Sequence, residues 1–278
     1  MKIIMPGAGC LALWAALSVA AFAAENCPAQ AQQINDSNSL MMLGGTAKGP
    51  VKQVVVGEFG KDVDQQKRIL GQFDQCGALI RADISYDKNE GSMMLRMVQS
   101  IVRASGGWQA VYDMAVFVVK EGKPVEVNRK RGTIDYLVST KGIITSATDA
   151  FVLKGKKGFT ETTNSFDSQL RLIKSVARGS DNEANGEYLY QWNKKNQLVT
   201  SLSANSKMTW SYDKQDREQR LTTITHSDNS DRVTVDECQL WDERGNCTLS
   251  YSHETEVFPQ GEVTRNISAA YRFEYWDK

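Results

Sequence analysis

Trp192-Asn193-Lys194-Lys195-Asn196 is followed by Tyr212-Asp213-Lys214-Gln215-Asp216 and then by Trp241-Asp242-Glu243-Arg244-Gly245. An earlier copy reads Phe73-Asp74-Gln75-Cys76-Gly77, and a weaker one Phe166-Asp167-Ser168-Gln169-Leu170. The spacing has a physical meaning. Asp or Asn opening a type I turn accepts hydrogen bonds from main-chain amides further on. Gly or Asn three positions later tolerates the left-handed conformation that closes a hairpin. The aromatic before the turn ends the incoming strand and packs across to the outgoing one. Chance recurrence of aromatic–acid pairs is the alternative, and four copies sharing the third element count against it. Each copy therefore predicts a hairpin, with its turn at Asp74 and Gly77, Asn193 and Asn196, Asp213 and Asp216, or Asp242 and Gly245.

The segments around these turns agree. Val51–Phe59, Ala110–Val119, Ile134–Val138, Gly142–Ser146 and Tyr188–Trp192 are short runs rich in Val and aromatics, separated by Gly, Asn, Asp or Ser. Such runs are strand signals. Met93 to Arg103 is ambiguous, because Met94, Met97, Val98 and Ile101 would also share a helical face. The expected fold is all-β and mainly antiparallel: a meandering hairpin sheet with little helix, forming one β-rich repeat domain over 47–278. Residues 24–46, rich in Gln, Asn and Ser, read as a polar, mobile leader pinned at Cys27.

Ahead of the leader, Lys2, the apolar run Leu11–Ala20 and small residues at Ala21 and Ala23 have the layout of a secretory signal peptide over 1–23. That run is too short to cross a bilayer comfortably, and no later stretch is long enough for a transmembrane helix. The remaining cysteines are Cys27, Cys76, Cys238 and Cys247. An even number in an exported chain reads as two disulfides with three possible connectivities. Zinc is the competing reading, but Cys27 and Cys76 lack nearby Cys or His partners. An acidic Glu25 two residues before Cys27 argues against lipidation there. Cys238 and Cys247 flank one hairpin but fall out of step across it unless a bulge precedes Trp241. The local bridge is preferred for its short loop; otherwise each pairs with Cys27 or Cys76.

The 33 basic and 33 acidic side chains cancel, which removes the electrostatic footprint of a nucleic-acid binder. At 41% hydrophobic and 24% charged the chain is neither disordered nor a multi-span membrane protein. The basic cluster Lys120–Arg131 is diluted by Glu121 and Glu126, and Gly106-Gly107 leads into a strand-like run, so neither forms a phosphate cradle. His226 and His253 are the two histidines, and no activated-nucleophile motif accompanies them.

At its turns the chain resembles the tyrosine-aspartate (YD) repeats of Rhs and teneurin proteins. It also resembles the YnfC-type family of uncharacterised bacterial envelope proteins. Lys48-Gly49-Pro50-Val51-Lys52 is similar to that family's start, Phe73–Cys76 to its first cysteine hairpin, and Cys238 with Trp241–Cys247 to its last. The resemblance implies an envelope location, an unassigned role and no catalytic motif; the lipid-modified cysteine of the family is missing. Together these readings give a periplasmic, non-catalytic binding or scaffold module with no cofactor and no metal. Its expected partner is an envelope protein or a glycan. The competing functions are an envelope hydrolase using His226 or His253, and an accessory partner of a secreted protein.

Overall fold

The computed structural model describes residues 27–59, 65–182 and 184–276; the signal-peptide reading of 1–23 lies outside them. One helix, α1 (Ala31–Leu43), precedes sixteen strands. These are β1 (Val51–Phe59), β2 (Gln65–Phe73), β3 (Leu79–Glu90), β4 (Met93–Ala104), β5 (Gly107–Lys120), β6 (Lys123–Val138), β7 (Ile144–Leu153) and β8 (Lys156–Phe166). They continue as β9 (Leu172–Gly179), β10 (Gly186–Trp192), β11 (Leu198–Leu202), β12 (Ser206–Tyr212), β13 (Glu218–His226), β14 (Asp231–Trp241), β15 (Cys247–Phe258) and β16 (Gly261–Tyr275). Each strand pairs antiparallel with its sequence neighbours, and β1 pairs with β16, so the sheet is a closed barrel. The antiparallel all-β expectation holds, but the sheet is not an open YD-type meander. Right-handed twist curls a long sheet, and pairing Val51 to Tyr275 and Phe59 to Ser268 leaves no free edge. Met93–Ala104, ambiguous in sequence, is a strand.

Seven hairpin turns, from β2–β3 to β14–β15, share one end of the barrel with the start of β1 and the finish of β16. At this turn end the main chain closes each repeat in the same way. Asp74 Oδ1 accepts from the amides of Cys76 (3.0 Å) and Ala78 (2.9 Å). Asn193, Asp213 and Asp242 repeat the pattern, and so does Asp167 in the weaker copy. Gly77, Asn196, Asp216, Gly245 and even Leu170 hold φ between 61° and 82°, the left-handed closing position. The aromatics reach further than a partner within their own hairpin. Trp192 Nε1 donates to Leu172 O (2.8 Å), Tyr212 Oη to Leu198 O (2.7 Å) and Trp241 Nε1 to Glu218 O (2.9 Å). Each ties its hairpin to the outgoing strand of the hairpin before it, so the repeat stitches the barrel around its rim.

The segment read as a mobile leader contains α1, which lies across the turn end. Ile34, Ser37, Asn38 and Met42 are its buried residues. Asn38 donates to Gly142 O (2.8 Å) and accepts from the Ile144 amide (3.0 Å). Ser37 Oγ accepts from the Leu172 amide (3.0 Å), and Asn35 donates to Cys76 O (2.7 Å). A polar helix is ordered here because its buried polar groups satisfy main-chain groups that the turns leave unpaired. Below it Met42 packs into a core of Val54, Ile69, Phe73, Leu79, Ile101 and Ile144. Disulfides join Cys27 to Cys76 and Cys238 to Cys247. The second becomes feasible through register shifts between Cys238 and Trp241, a bulge ahead of Trp241. Towards the far end the inner wall is polar: Arg265 lies between Glu254 (2.5 Å) and Glu256 (2.9 Å), all three buried.

Candidate functional site: a cleft on the outer wall

The register separates the two faces of the wall. Side chains on the core face of β1–β5 include Val54, Ala82, Ile101 and Ala110, all buried. Their sequence neighbours point outward. Along β3 the outward residues are Arg81, Asp83, Ser85, Asp87 and Asn89, all polar. Along β16 they run Glu262, Thr264, Asn266, Ser268, Ala270, Arg272 and Glu274. Outward cations meet carboxylates across or along strands: Arg81–Asp83 (2.9 Å), Arg129–Asp113 (2.7 Å) and Arg220–Glu237.

One large cleft, of about 1170 Å³, interrupts this wall on β1–β8. Its lining falls into three adjacent register rows. One outward row includes Val55, Leu70, Asp83, Ser100, Val111 and Ala150; the other includes Arg68, Ser85, Val98, Arg131, Val152 and Lys157. Between them runs one inward row, from Val56 through Ile69, Ile84 and Tyr112 to Phe151 and Gly158, which offers its main chain to this side. Two outward rows enclosing one inward row place the cleft on the outside of the barrel. A lumenal cavity would show the reverse. Seven strand spacings carry it about 33 Å around the wall, and the two rows stand about 7 Å apart along the strands.

The walls are apolar where the cleft is open: Val98 is 58% exposed, Val111 55%, Val55 41% and Leu70 37%. The floor is rigid beneath β6–β8. Phe151 is buried on the inner face between Gly132 and Gly158, and a Cβ on Gly158 would come within 2.4 Å of its ring. Lys130 stacks on that ring from inside (4.0 Å) and pairs with Asp181 (2.8 Å). The cleft's two carboxylates are already engaged. Hydrogen bonds from Arg81 hold the Asp83 carboxyl below its usual range, and those from Arg129 do the same to Asp113. Among the described residues Arg68 and Lys157 make no ion pair, Arg68 hydrogen-bonding Gln66 (3.3 Å), while Arg131 faces Asp113 and helps to hold that carboxyl down.

The residues singled out from sequence lie elsewhere. The turn residues Asp74, Gly77, Asn193, Asn196, Asp213, Asp216, Asp242 and Gly245 are gathered at the turn end, where they shape the rim. His226 hydrogen-bonds Asp231 (2.7 Å) and His253 hydrogen-bonds Asn266 (2.9 Å); both rings are exposed. Neither hydrogen bond is to a serine hydroxyl. Among the described residues no group of three or more His, Cys, Asp or Glu is placed to hold a metal ion. Sequence reasoning missed the cleft, although a signal was present. Val54-Val55-Val56, Ile69-Leu70 and Phe151-Val152 are apolar on both faces, where a half-solvated strand alternates.

Among the described residues no helix is long and apolar enough to cross a membrane, which says nothing of strands. No family model matches the chain, and no similar curated protein is found. Among solved structures, the crystal structure of a porin-like protein from Bacteroides uniformis ATCC 8492 is similar, at a TM-score of 0.48 and 12% identity, over 82% of this chain and 99% of that one.

Proposed function

We propose that the protein is an exported, non-catalytic binding module: a water-facing barrel that takes a ligand in the cleft on its outer wall. The observation that carries this reading is an open apolar cleft of about 1170 Å³ that also carries Arg68, Arg131 and Lys157, in a wall where Arg81–Asp83, Arg129–Asp113 and Arg220–Glu237 form outward ion pairs. Ligand sites are concave, largely apolar and furnished with a few polar groups, as this one is. Disulfides and the signal-like first 23 residues support export, and the islands resembling the YnfC-type proteins point to the envelope.

A lipid-embedded barrel is the alternative architecture, and the outward residues of β3 and β16 speak against it. Membrane barrels carry an outward apolar band about 25 Å tall, and each Arg or Lys at its midplane costs about 2–4 kcal/mol. Arg81, Asp83 and Asp87 on β3, and Glu262, Asn266, Ser268, Arg272 and Glu274 on β16, interrupt such a band on these two strands, while Leu137, Phe159, Leu189 and Leu202 are exposed apolar residues elsewhere on the wall. The hydrolase reading needs a nucleophile beside His226 or His253, and neither ring's hydrogen bond supplies one.

The test is binding of the neutral fluorophore N-phenyl-1-naphthylamine to the purified exported chain. Val111→Asp places a charge on the cleft wall at an exposed position, so the barrel survives. The expected result is saturable fluorescence with the natural sequence and its loss in V111D. Equal fluorescence in both, or none in either, contradicts the cleft as a binding site.

A further inference from the structure

We propose that the cleft's ligand is a single-chain anionic amphiphile: one long hydrocarbon chain ending in a carboxylate or phosphate. This rests on the cleft being the binding site. The width sets the first restriction. Two outward rows about 7 Å apart admit one extended chain and not two side by side, while about 33 Å of arc accommodates a long one. A peptide added as an extra strand is ruled out, because a closed barrel has no edge to extend and the cleft runs across the strands.

Charge sets the head group and where it lies. Arg131 and Lys157 share one register row on β6 and β8, separated only by Val152 on β7. Their Cα atoms are therefore about 10 Å apart, within reach of one anionic group for two long side chains. Asp113, which faces Arg131 across β5 and β6, accepts two hydrogen bonds from Arg129 of 2.8 and 2.7 Å, so its single charge is shared between two guanidinium groups and a net positive charge remains beside Lys157. At the opposite end of the cleft, Val55 and Leu70 face each other across β1 and β2 and offer an apolar wall for the tail, and the one cation there, Arg68, is single and hydrogen-bonded to Gln66 (3.3 Å). The chain runs between these ends over Val98 and Val111. An anion clamped by paired cations in a partly apolar cleft gains from charge-assisted hydrogen bonds, and the tail gains by leaving water.

The experiment is displacement of cis-parinaric acid, a fluorescent long-chain carboxylate, by three unlabelled competitors of matched chain: oleate, oleoyl lysophosphatidic acid and oleyl alcohol. The natural protein is expected to bind both anions at least tenfold more tightly than the alcohol (about 1.4 kcal/mol). Arg131→Gln with Lys157→Gln should erase that preference and leave the alcohol's affinity unchanged, while Lys207→Gln, on the outer wall away from the cleft, should change nothing. Unequal ranking of the two anions identifies the head group. If oleyl alcohol competes as well as oleate in the natural protein, the head-group assignment falls while the cleft survives. If V111D leaves parinarate binding intact, the cleft itself is not the site.

Discussion

Replacing Asn38 by Ala removes the clamp that seats α1 in the barrel mouth. The side chain is 2% exposed and its two partners are main-chain groups, the carbonyl of Gly142 and the amide of Ile144, whose residue is fully buried. Two hydrogen bonds contribute about 1 kcal/mol each net. The Ile144 amide left without an acceptor adds about 1–3 kcal/mol, less if water enters the space that Ala vacates. The sum is about 3–5 kcal/mol, which at an m of about 3 kcal/mol/M moves the urea midpoint down by about 1–1.7 M. Native-state hydrogen exchange localises the loss: the Ile144 amide should exchange much faster, while amides of β12–β15 change little. Asn35→Ala, which removes one half-buried bond to Cys76 O, should cost about 1 kcal/mol or less. A midpoint within 0.2 M of the natural one (about 0.6 kcal/mol), with Ile144 exchange unaltered, would refute the placement of α1.

Three further outcomes follow from the same geometry. The Cys27–Cys76 bridge spans 49 residues and Cys238–Cys247 spans 9, so paired Cys→Ser changes should cost about 4 and about 3 kcal/mol in chain entropy, the longer loop losing more in denaturant titration. Asp213→Ala removes acceptors for two turn amides and should cost about 1–2 kcal/mol, whereas Asp216→Gly relieves a left-handed residue at φ 62° and should be neutral or stabilising by up to about 1 kcal/mol; thermal melts that reverse the order contradict the turn assignment. Burial pushes the Asp36 carboxyl, held by Gln32 and facing Tyr212, up from 3.8 to about 7. The folded state then holds a proton that the unfolded state has released, so stability should fall as pH rises from about 4 to 7. Asp36→Asn should lessen this slope, to which Glu218, Asp236 and Asp149, also raised by burial, contribute as well, and gain up to a few kcal/mol at pH 8, as read in urea titrations across pH.

What could be read in the sequence follows from how local each signal is. The Asp and Asn turns are written within five residues each, so hairpins at 74, 193, 213 and 242 are legible one by one. Ser139-Thr140-Lys141-Gly142 makes a similar turn, with Ser139 Oγ accepting from the Lys141 amide (3.2 Å), yet neither an aromatic nor an Asp announces it. Closure depends on β1 meeting β16 more than two hundred residues later, and no local pattern specifies that pairing. Helix α1 was hidden because its seat is made of Ser37 and Asn38, residues that read as loop; Ile34 and Met42 with Gly44 as the left-handed cap were the available clue. The cleft was illegible for a stronger reason. Eight strands contribute to it, and only the register brings Val55, Leu70, Val98 and Val111 onto one face.

The central claim is that the outer wall of this barrel faces water. Flotation of the purified chain with phosphatidylcholine vesicles in detergent-free buffer tests it most directly. The wall chemistry of β3 and β16 predicts a monodisperse protein that stays at the bottom of the gradient. A chain that rises with the vesicles, or stays dispersed only inside detergent micelles, would contradict it.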